Sequence, residues 1–183
     1  YAQNHYPFEN RDRVEEHFPA DFIAEGLDQT RGWFYTLTVL ATTLFGKPAF
    51  RNVIVNGLVL AEDGKKMSKR LKNYPDPKHV IDEYGADALR LFLLSSPVVR
   101  AEDLCFTEDG VRECLRSIII PLWNAYSFLV TYARVDGWEP DPDAPPADPA
   151  NVLDAWILSR LQQAVADIRE RMDAYDLQRA AQR

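Results

Sequence analysis

Cysteine is nearly absent. Cys105 and Cys114 are the only two in 183 residues, and their spacing fits no metal-ligand pattern. Two thiols make no disulfide framework, and Tyr1 to Tyr6 carry neither a basic start nor an apolar run. A reducing compartment, the cytoplasm, is therefore expected. A basic excess is lacking too: Lys and Arg number 21 against 28 Asp and Glu, for a net charge of −7 and a pI near 5.0. That balance is the reverse of a dedicated nucleic-acid binder's. Eighteen or so apolar residues never run together without a charge, so no membrane-spanning helix is expected. There is no initiator Met, and the first ten residues show no helix or strand period, so the start reads as a cut inside a longer protein, with a processed terminus as the alternative. What is present suffices for a core: 46% of residues are hydrophobic and 11% aromatic, which excludes bulk disorder.

The organisation changes along the chain. Phe22-Ile23-Ala24, ending in Glu25-Gly26, reads as a buried strand and a turn. Residues from about Thr30 to Phe45 have helical period, with Trp33, Leu37, Leu40 and Leu44 on one face, and Gly46 and Pro48 stop the helix. Val53-Ile54-Val55 and Leu58-Val59-Leu60 are β-rich runs around Gly57. Strand, helix, strand at this spacing predicts one crossover of a parallel α/β sheet. Further on, Asp76-Pro77 caps a short helix through Tyr84, with Gly85 as its stop, and a second helix runs from Ala86 to about Ser95. Thr107 caps a long helix with Val111, Leu115, Ile118, Leu122 and Tyr126 as its stripe, which Pro121 should bend. Between Asp136 and Pro149 prolines alternate with acidic residues, as in Glu139-Pro140-Asp141-Pro142-Asp143, predicting an extended, solvated linker. Asn151 or Asp154 then opens another long helix, striped by Ile157, Leu161, Val165, Ile168 and Met172. Two amphipathic helices joined this way begin an α-helical bundle.

Two clusters carry chemistry. Lys65, Lys66, Lys69, Arg70 and Lys72 crowd around Gly64, so an anion site can exist on an acidic body. Ammonium groups on a mobile loop suit a phosphate chain whose charge shifts during reaction; a solvated basic turn is the plainer alternative. The second cluster, Glu25-Gly26-Leu27-Asp28-Gln29-Thr30-Arg31-Gly32-Trp33, lies where a strand turns into a helix, the ligand-binding edge of open α/β sheets. Asp28 can accept hydrogen bonds from a ribose or an α-amino group, or cap the helix. Gln29 offers both a donor and an acceptor. Trp33 can wall an apolar pocket or join the core. Gly57 lets a backbone come close to an adenine or ribose, or marks a bulge.

Lys66-Met67-Ser68-Lys69-Arg70 resembles the KMSKS signature of class I aminoacyl-tRNA synthetases, with Arg in place of the last Ser. Asn73-Tyr74-Pro75-Asp76-Pro77 follows it as in that family. The segment from Glu25 to Trp33 is similar to the second substrate-binding motif of the isoleucyl members, and Pro7-Phe8-Glu9-Asn10 and Phe18 to Ile23 resemble the approach to their site. The resemblance covers nearly the whole chain. It implies the C-terminal half of a Rossmann-like catalytic domain (residues 1–75), a stem-contact helical region (76–115) and the start of a helical anticodon-binding domain (116–183). It further implies that Glu25, Asp28, Gln29 and Trp33 bind the aminoacyl-adenylate, that residues 66–70 form the ATP loop with Lys66 and Lys69 catalytic, and that Gly57 contacts the nucleotide. The partners it implies are isoleucine, ATP with Mg2+ as substrate, tRNA(Ile) and the remainder of the same polypeptide, with no membrane and no protein-bound metal in this stretch. Arg90, Arg100, Arg112 and Arg116 become candidates for tRNA phosphates.

The family's His-Ile-Gly-His signature is missing: His5-Tyr6-Pro7-Phe8 is not that motif, and neither His17 nor His79 has the required neighbours. The chain alone is therefore expected not to form adenylate. An editing domain, expected elsewhere in such enzymes, is not recognisable here. The alternatives are a valyl or other branched-chain class I synthetase and a non-catalytic helical RNA-binding or interaction module.

Overall fold

The computed structural model describes residues 2–68, 70–144, 149 and 151–182. They form two compact units: Tyr1–Val59 with Pro97–Leu104, and Leu60–Ser96 with Cys105–Arg183.

In the first unit, helix α1 (Arg11–His17) leads into strand β1 (Ala20–Gly26), and helix α2 (Trp33–Phe45) carries the chain to strand β2 (Phe50–Asn56). The two strands pair in parallel, from Ala20 opposite Phe50 to Gly26 opposite Asn56. This is the crossover that the sequence predicts, but β1 is not the buried strand expected. Phe22 and Ala24 are exposed and only Ile23 and Gly26 are partly covered, since the two-stranded sheet gives β1 a single neighbour. The helix starts later than expected. Leu27–Arg31 tightens into a 3-10 turn, and Gly32, at φ −133° and ψ −119°, leaves the helical region before α2 begins. At the other end Gly46 takes φ +62°, and its N–H donates to the Thr42 carbonyl, the usual glycine stop.

The buried face of α2 is also not the expected one. Ala41 is fully buried, and Phe34, Leu37 and Phe45 are partly covered, whereas Trp33, Leu40 and Leu44 of the predicted stripe are exposed. The reason lies in the composition. Trp-Phe-Tyr-Thr-Leu-Thr-Val-Leu-Ala-Thr-Thr-Leu-Phe is apolar nearly all round, so periodicity does not select one side. Aromatic contacts fix the choice: Phe45 lies 4.6 Å from Phe18 and 5.4 Å from Tyr6 between ring centres, and Phe34 lies 6.3 Å from Phe50.

The second unit is helical. It contains α3 (Pro77–Tyr84), α4 (Ala86–Ser95), α5 (Glu108–Cys114), α6 (Ile120–Asp136), α7 (Val152–Asp173) and α8 (Leu177–Ala181). Its caps follow the sequence. Asp76 accepts from the Lys78 N–H at 2.9 Å with Pro77 at the first helical position, Thr107 Oγ1 from the Gly110 N–H at 3.2 Å, and Asn151 from the Leu153 N–H at 2.9 Å. Of the two openers considered for α7, Asn151 is the cap. Val80, Ala88 and Val111 are essentially sealed from solvent, where α4 meets α3 and α5.

Pro121 does not simply bend its helix. Residues Leu115–Ile119 form a π turn immediately before it. The wider turn accommodates the missing Pro121 N–H and the crowding against the carbonyl four residues back. Glu108–Asp136 is thus 29 continuous helical residues, long and apolar enough to cross a membrane by length and composition alone. The sequence led us to expect no such helix. Its charges, Glu108, Asp109, Arg112, Glu113 and Arg116 at one end and Arg134 and Asp136 at the other, leave an uncharged middle that counting eighteen strictly apolar residues overlooks. The expected stripes are buried only at Val111. Ile118, Leu122 and Tyr126 are exposed, as are the corresponding α7 residues Ile157, Leu161, Val165, Ile168 and Met172. After α6, Gly137 ends the helix at φ +66°. Residues 145–148 and 150 of the expected linker lie outside the described residues.

Candidate functional site

The first unit presents an open cleft of about 600 Å³ at the carboxyl ends of β1 and β2. Asp28 and Gly57 both line it, together with Leu27, Thr30, Asn56 and Asp103. Asp28 reaches it from the 3-10 turn, exposed, with no hydrogen bond or ion pair to another described residue, so its carboxylate is available to a ligand. It does not cap α2. That role belongs to Gln29, whose Oε1 accepts the Trp33 N–H at 2.9 Å. Gly32 makes this fold-back possible, since a Cβ there would lie 2.2 Å from Gln29 Oε1. Gln29 thus spends its acceptor on the helix start. Glu25 is exposed near the end of β1, opposite Val55, and the Trp33 side chain is 56% exposed. Glu25, Gln29 and Trp33 are not among the residues lining the cleft.

Gly57 has a packing reason for its identity. A Cβ would lie 1.9 Å from the Glu102 carbonyl oxygen, so the close approach that glycine permits is to backbone of the same unit. The Gly57 N–H donates to the Val98 carbonyl at 2.8 Å, and the neighbouring Leu58 N–H to Asp103 Oδ1 at 3.0 Å. Asp103 is a cleft residue that sequence reasoning missed. It lies 45 positions from its partner, and nothing local marks it.

The cationic loop belongs to the second unit. Its entry is a tight turn at Gly64, φ +76°. Lys65 is tied down there: its N–H donates to Asp63 Oδ1 at 3.1 Å and its Nζ pairs with Asp63 Oδ2 at 2.9 Å. The Lys65 hydrogen bond holds the Asp63 carboxyl below the usual aspartate range. Lys66 bridges to Leu60 in antiparallel fashion, and its ammonium makes no ion pair among the described residues. Met67 and Ser68 are half-buried and Arg70 is exposed. Lys69 lies outside the described residues. Beneath the loop a polar cavity of about 430 Å³ is lined by Met67, Lys72, Asn73, Tyr74, Glu108 and Asp109 among others.

The candidate arginines divide. Arg112 is engaged within the protein. It donates to Tyr84 Oη at 3.0 Å, stacks over that ring at 5.6 Å and pairs with Asp109, while Tyr84 donates to Glu108. The Tyr84 hydrogen bond, with the neighbouring acidic charge, raises the Arg112 pKa. Arg90 forms an exposed pair with Asp87 at 3.2 Å, worth little in water. Arg116 and Arg100 are exposed on the π turn and at the end of a 3-10 turn. No cluster of three or more His, Cys, Asp or Glu suited to a metal occurs among the described residues.

Comparison with known proteins accounts for these features together. Residues 1–105 match the profile of tRNA synthetases class I (I, L, M and V). The isoleucine–tRNA ligase of Protochlamydia amoebophila is 60% identical over 182 residues, covering 100% of this chain and 17% of its own length. That of Treponema denticola is 59% identical over 98% of the chain, and that of Chlamydia pneumoniae 61% over 97%. The chain therefore spans about 17% of the length of these curated relatives. Among solved structures, the agnB2 LeuRS of Agrobacterium radiobacter K84, in a ternary complex with tRNA and LeuAMS, superposes with a TM-score of 0.70 at 24% identity, over 89% of this chain and 21% of that one; this likeness bears on the fold. The α/β crossover, the lysine loop and the helices after it thus have one common source, and the chain belongs to the class I tRNA synthetases of the I, L, M and V group.

Proposed function

We propose that the chain forms part of an isoleucine–tRNA ligase and supplies two portions of its adenylate-forming machinery. The observation that carries this reading is identity near 60% with isoleucine–tRNA ligases along the full chain, combined with an intact Lys-Met-Ser-Lys-Arg loop. In the reaction, an isoleucine carboxylate oxygen attacks the α-phosphorus of ATP. The bond from that phosphorus to the oxygen bridging to the β-phosphate breaks, and pyrophosphate leaves. The acyl group then passes to the terminal ribose of tRNA(Ile).

Positioning and charge stabilisation supply most of such catalysis. Lys66 and Lys69 neutralise the negative charge that builds on the departing pyrophosphate, and Met67, Ser68 and Arg70 complete the ATP loop; the unpaired Lys66 ammonium supports this role. Asp28, free in its cleft, takes a ribose hydroxyl or the α-ammonium group. Glu25, Gln29 and Trp33 complete adenylate binding, with the exposed Trp33 ring offering an apolar wall. Gly57 sits against the nucleotide. ATP enters with Mg2+ as substrate. Residues 1–75 contribute to the catalytic domain, 76–115 form the stem-contact helical region and 116–183 begin the anticodon-binding domain, in a protein that works in the cytoplasm. Arg90, Arg100, Arg112 and Arg116 meet tRNA phosphates, for which Arg112 would first have to loosen from Tyr84 and Asp109.

The test is pyrophosphate exchange by the full-length protein. It should depend on isoleucine more than on valine or leucine, and Lys66→Ala should slow it about a hundredfold. Exchange that prefers valine would move the chain to a sister enzyme, and no amino-acid dependence at all would end the enzymatic reading. The 183-residue chain alone should show no exchange, because it carries no His-Ile-Gly-His signature.

A further inference from the structure

The lysine loop has little packing to impose a shape on it, since residues 62–66 and 70–72 are exposed. Two side chains fix it instead. On the entry side Asp63 grips Lys65, and the backbone bond from the Ala61 N–H to the Lys65 carbonyl at 2.9 Å closes the turn. On the exit side Asn73 spans the loop. Its Oδ1 accepts the Ser68 N–H at 2.9 Å, and its Nδ2 donates to the Lys66 carbonyl at 3.2 Å. One planar amide thus satisfies a backbone donor and a backbone acceptor two residues apart, on either side of Met67. The chain returns to Asn73 through a turn in which the Leu71 and Lys72 N–H groups both donate to the Ser68 carbonyl, at 3.1 and 2.9 Å, with Lys72 at φ +48°.

The chemistry requires an amide. A carboxylate would set a second acceptor against the Lys66 carbonyl, and a hydroxyl is too short to reach both groups. We propose that Asn73 is a positioning residue for phosphate-chain chemistry: by clamping the backbone at Lys66 and Ser68, it sets the direction in which the Lys66 ammonium is presented. It touches no reacting atom in this role. The inference rests on the proposed adenylate-forming reaction and extends it to a residue whose part in that reaction sequence reasoning did not specify.

Two variants of the full-length protein test it. Asn73→Ala removes the amide, and Asn73→Leu keeps much of its shape while removing both hydrogen bonds. Each should lower kcat for isoleucine-dependent pyrophosphate exchange about tenfold to a hundredfold, the scale of a small misplacement of a catalytic group. KM for isoleucine, the rate of acyl transfer from preformed adenylate to tRNA and the melting temperature should stay as in the parent protein. Unchanged kcat in either variant overturns the inference. So does a parallel fall in exchange, acyl transfer and melting temperature, which marks ordinary structural damage. If the parent protein itself shows no amino-acid-dependent exchange, the assigned reaction fails first and this inference with it.

Discussion

Helices α3 to α5 and helices α6 to α7 belong to the same unit and obey the same local rules, yet only the first group is packed. Asp76, Thr107 and Asn151 each cap a helix with a side-chain oxygen, and Gly85 and Gly137 end helices at positive φ. Burial then separates them. Val80 and Val111 are 1% and 0% exposed, whereas Leu122 and Leu153 are 71% and 69% exposed. Capping chemistry is local and decides where a helix begins and ends. An apolar stripe is only half of an interaction, and its energy is realised when another surface covers it. In α6 and α7 the uncovered residues include the large apolar side chains Trp123, Phe128, Leu129 and Trp156.

This contrast is sharpest under polar substitution. Val111→Asp should cost about 4 kcal/mol or more, because an unpaired carboxylate would enter a sealed site. Leu122→Asp in the same 183-residue chain should change stability by less than about 0.5 kcal/mol, as at ordinary surface positions. Urea denaturation followed by circular dichroism measures both. Equal losses at the two positions would erase the distinction between packed and unpacked helices. In the full-length protein we expect Leu122→Asp to become costly, since more chain is then available to cover the stripe.

Gly57→Ala tests whether the first unit contains a contact as unforgiving as Val111. The new Cβ would lie 1.9 Å from Glu102 O, a backbone atom with little room to move, so a loss of about 3 kcal/mol is expected. Gly46→Ala meets no neighbour within 4 Å but sits at φ +62°, and should cost only about 1 kcal/mol. Thermal melts of the two variants rank a steric clash against a conformational penalty. A Gly57→Ala variant as stable as the parent would mean that the Glu102 segment yields.

The caps come next in size. Thr107→Ala and Asn151→Ala should each remove about 1 kcal/mol of local helix stability, with different consequences. Loss at Thr107 weakens the packed group and lowers its unfolding midpoint. Loss at Asn151 frays the start of α7, visible as faster amide exchange near Leu153, while leaving the α3–α5 transition where it was. A common shift of one transition by both variants would mean that α7 unfolds together with the packed helices.

These differences explain what could be read from the sequence. Asp76-Pro77, Gly85, Thr107, Asn151 and Gly46 mark their boundaries by short-range chemistry, and the parallel pairing of β1 with β2 follows from strand, helix, strand in order. The buried face of α2 was not legible, because thirteen largely apolar residues carry no contrast. The π turn before Pro121 was not legible either, since proline demands relief without specifying its form. At the candidate site, Asp28 and Gly57 were identified and do share a cleft. Gln29 was read for its hydrogen-bonding capacity, but its use as the α2 cap depends on Gly32, three residues on, being small. Asp103 was invisible because its partner lies far away in the chain.

The smallest expected effect separates the two sides of the lysine loop. Asp63 is charged and Asn73 is not, so only the entry clamp should respond to acid. The folded-state pKa of Asp63 is depressed by its hydrogen bonds from Lys65. Its contribution is therefore fully present above the unfolded aspartate value, about 4, and is lost as pH falls through the lower folded value. Because the pair is exposed, the consequence is local. Below about pH 4, the Lys65 amide should lose protection from exchange, and Asp63→Asn should abolish that pH dependence. The Ser68 amide, held by neutral Asn73, should show no matching change. If the Lys65 amide keeps its protection in acid, the turn is held by the Ala61–Lys65 backbone bond alone, and the ion pair at the loop entry contributes nothing measurable.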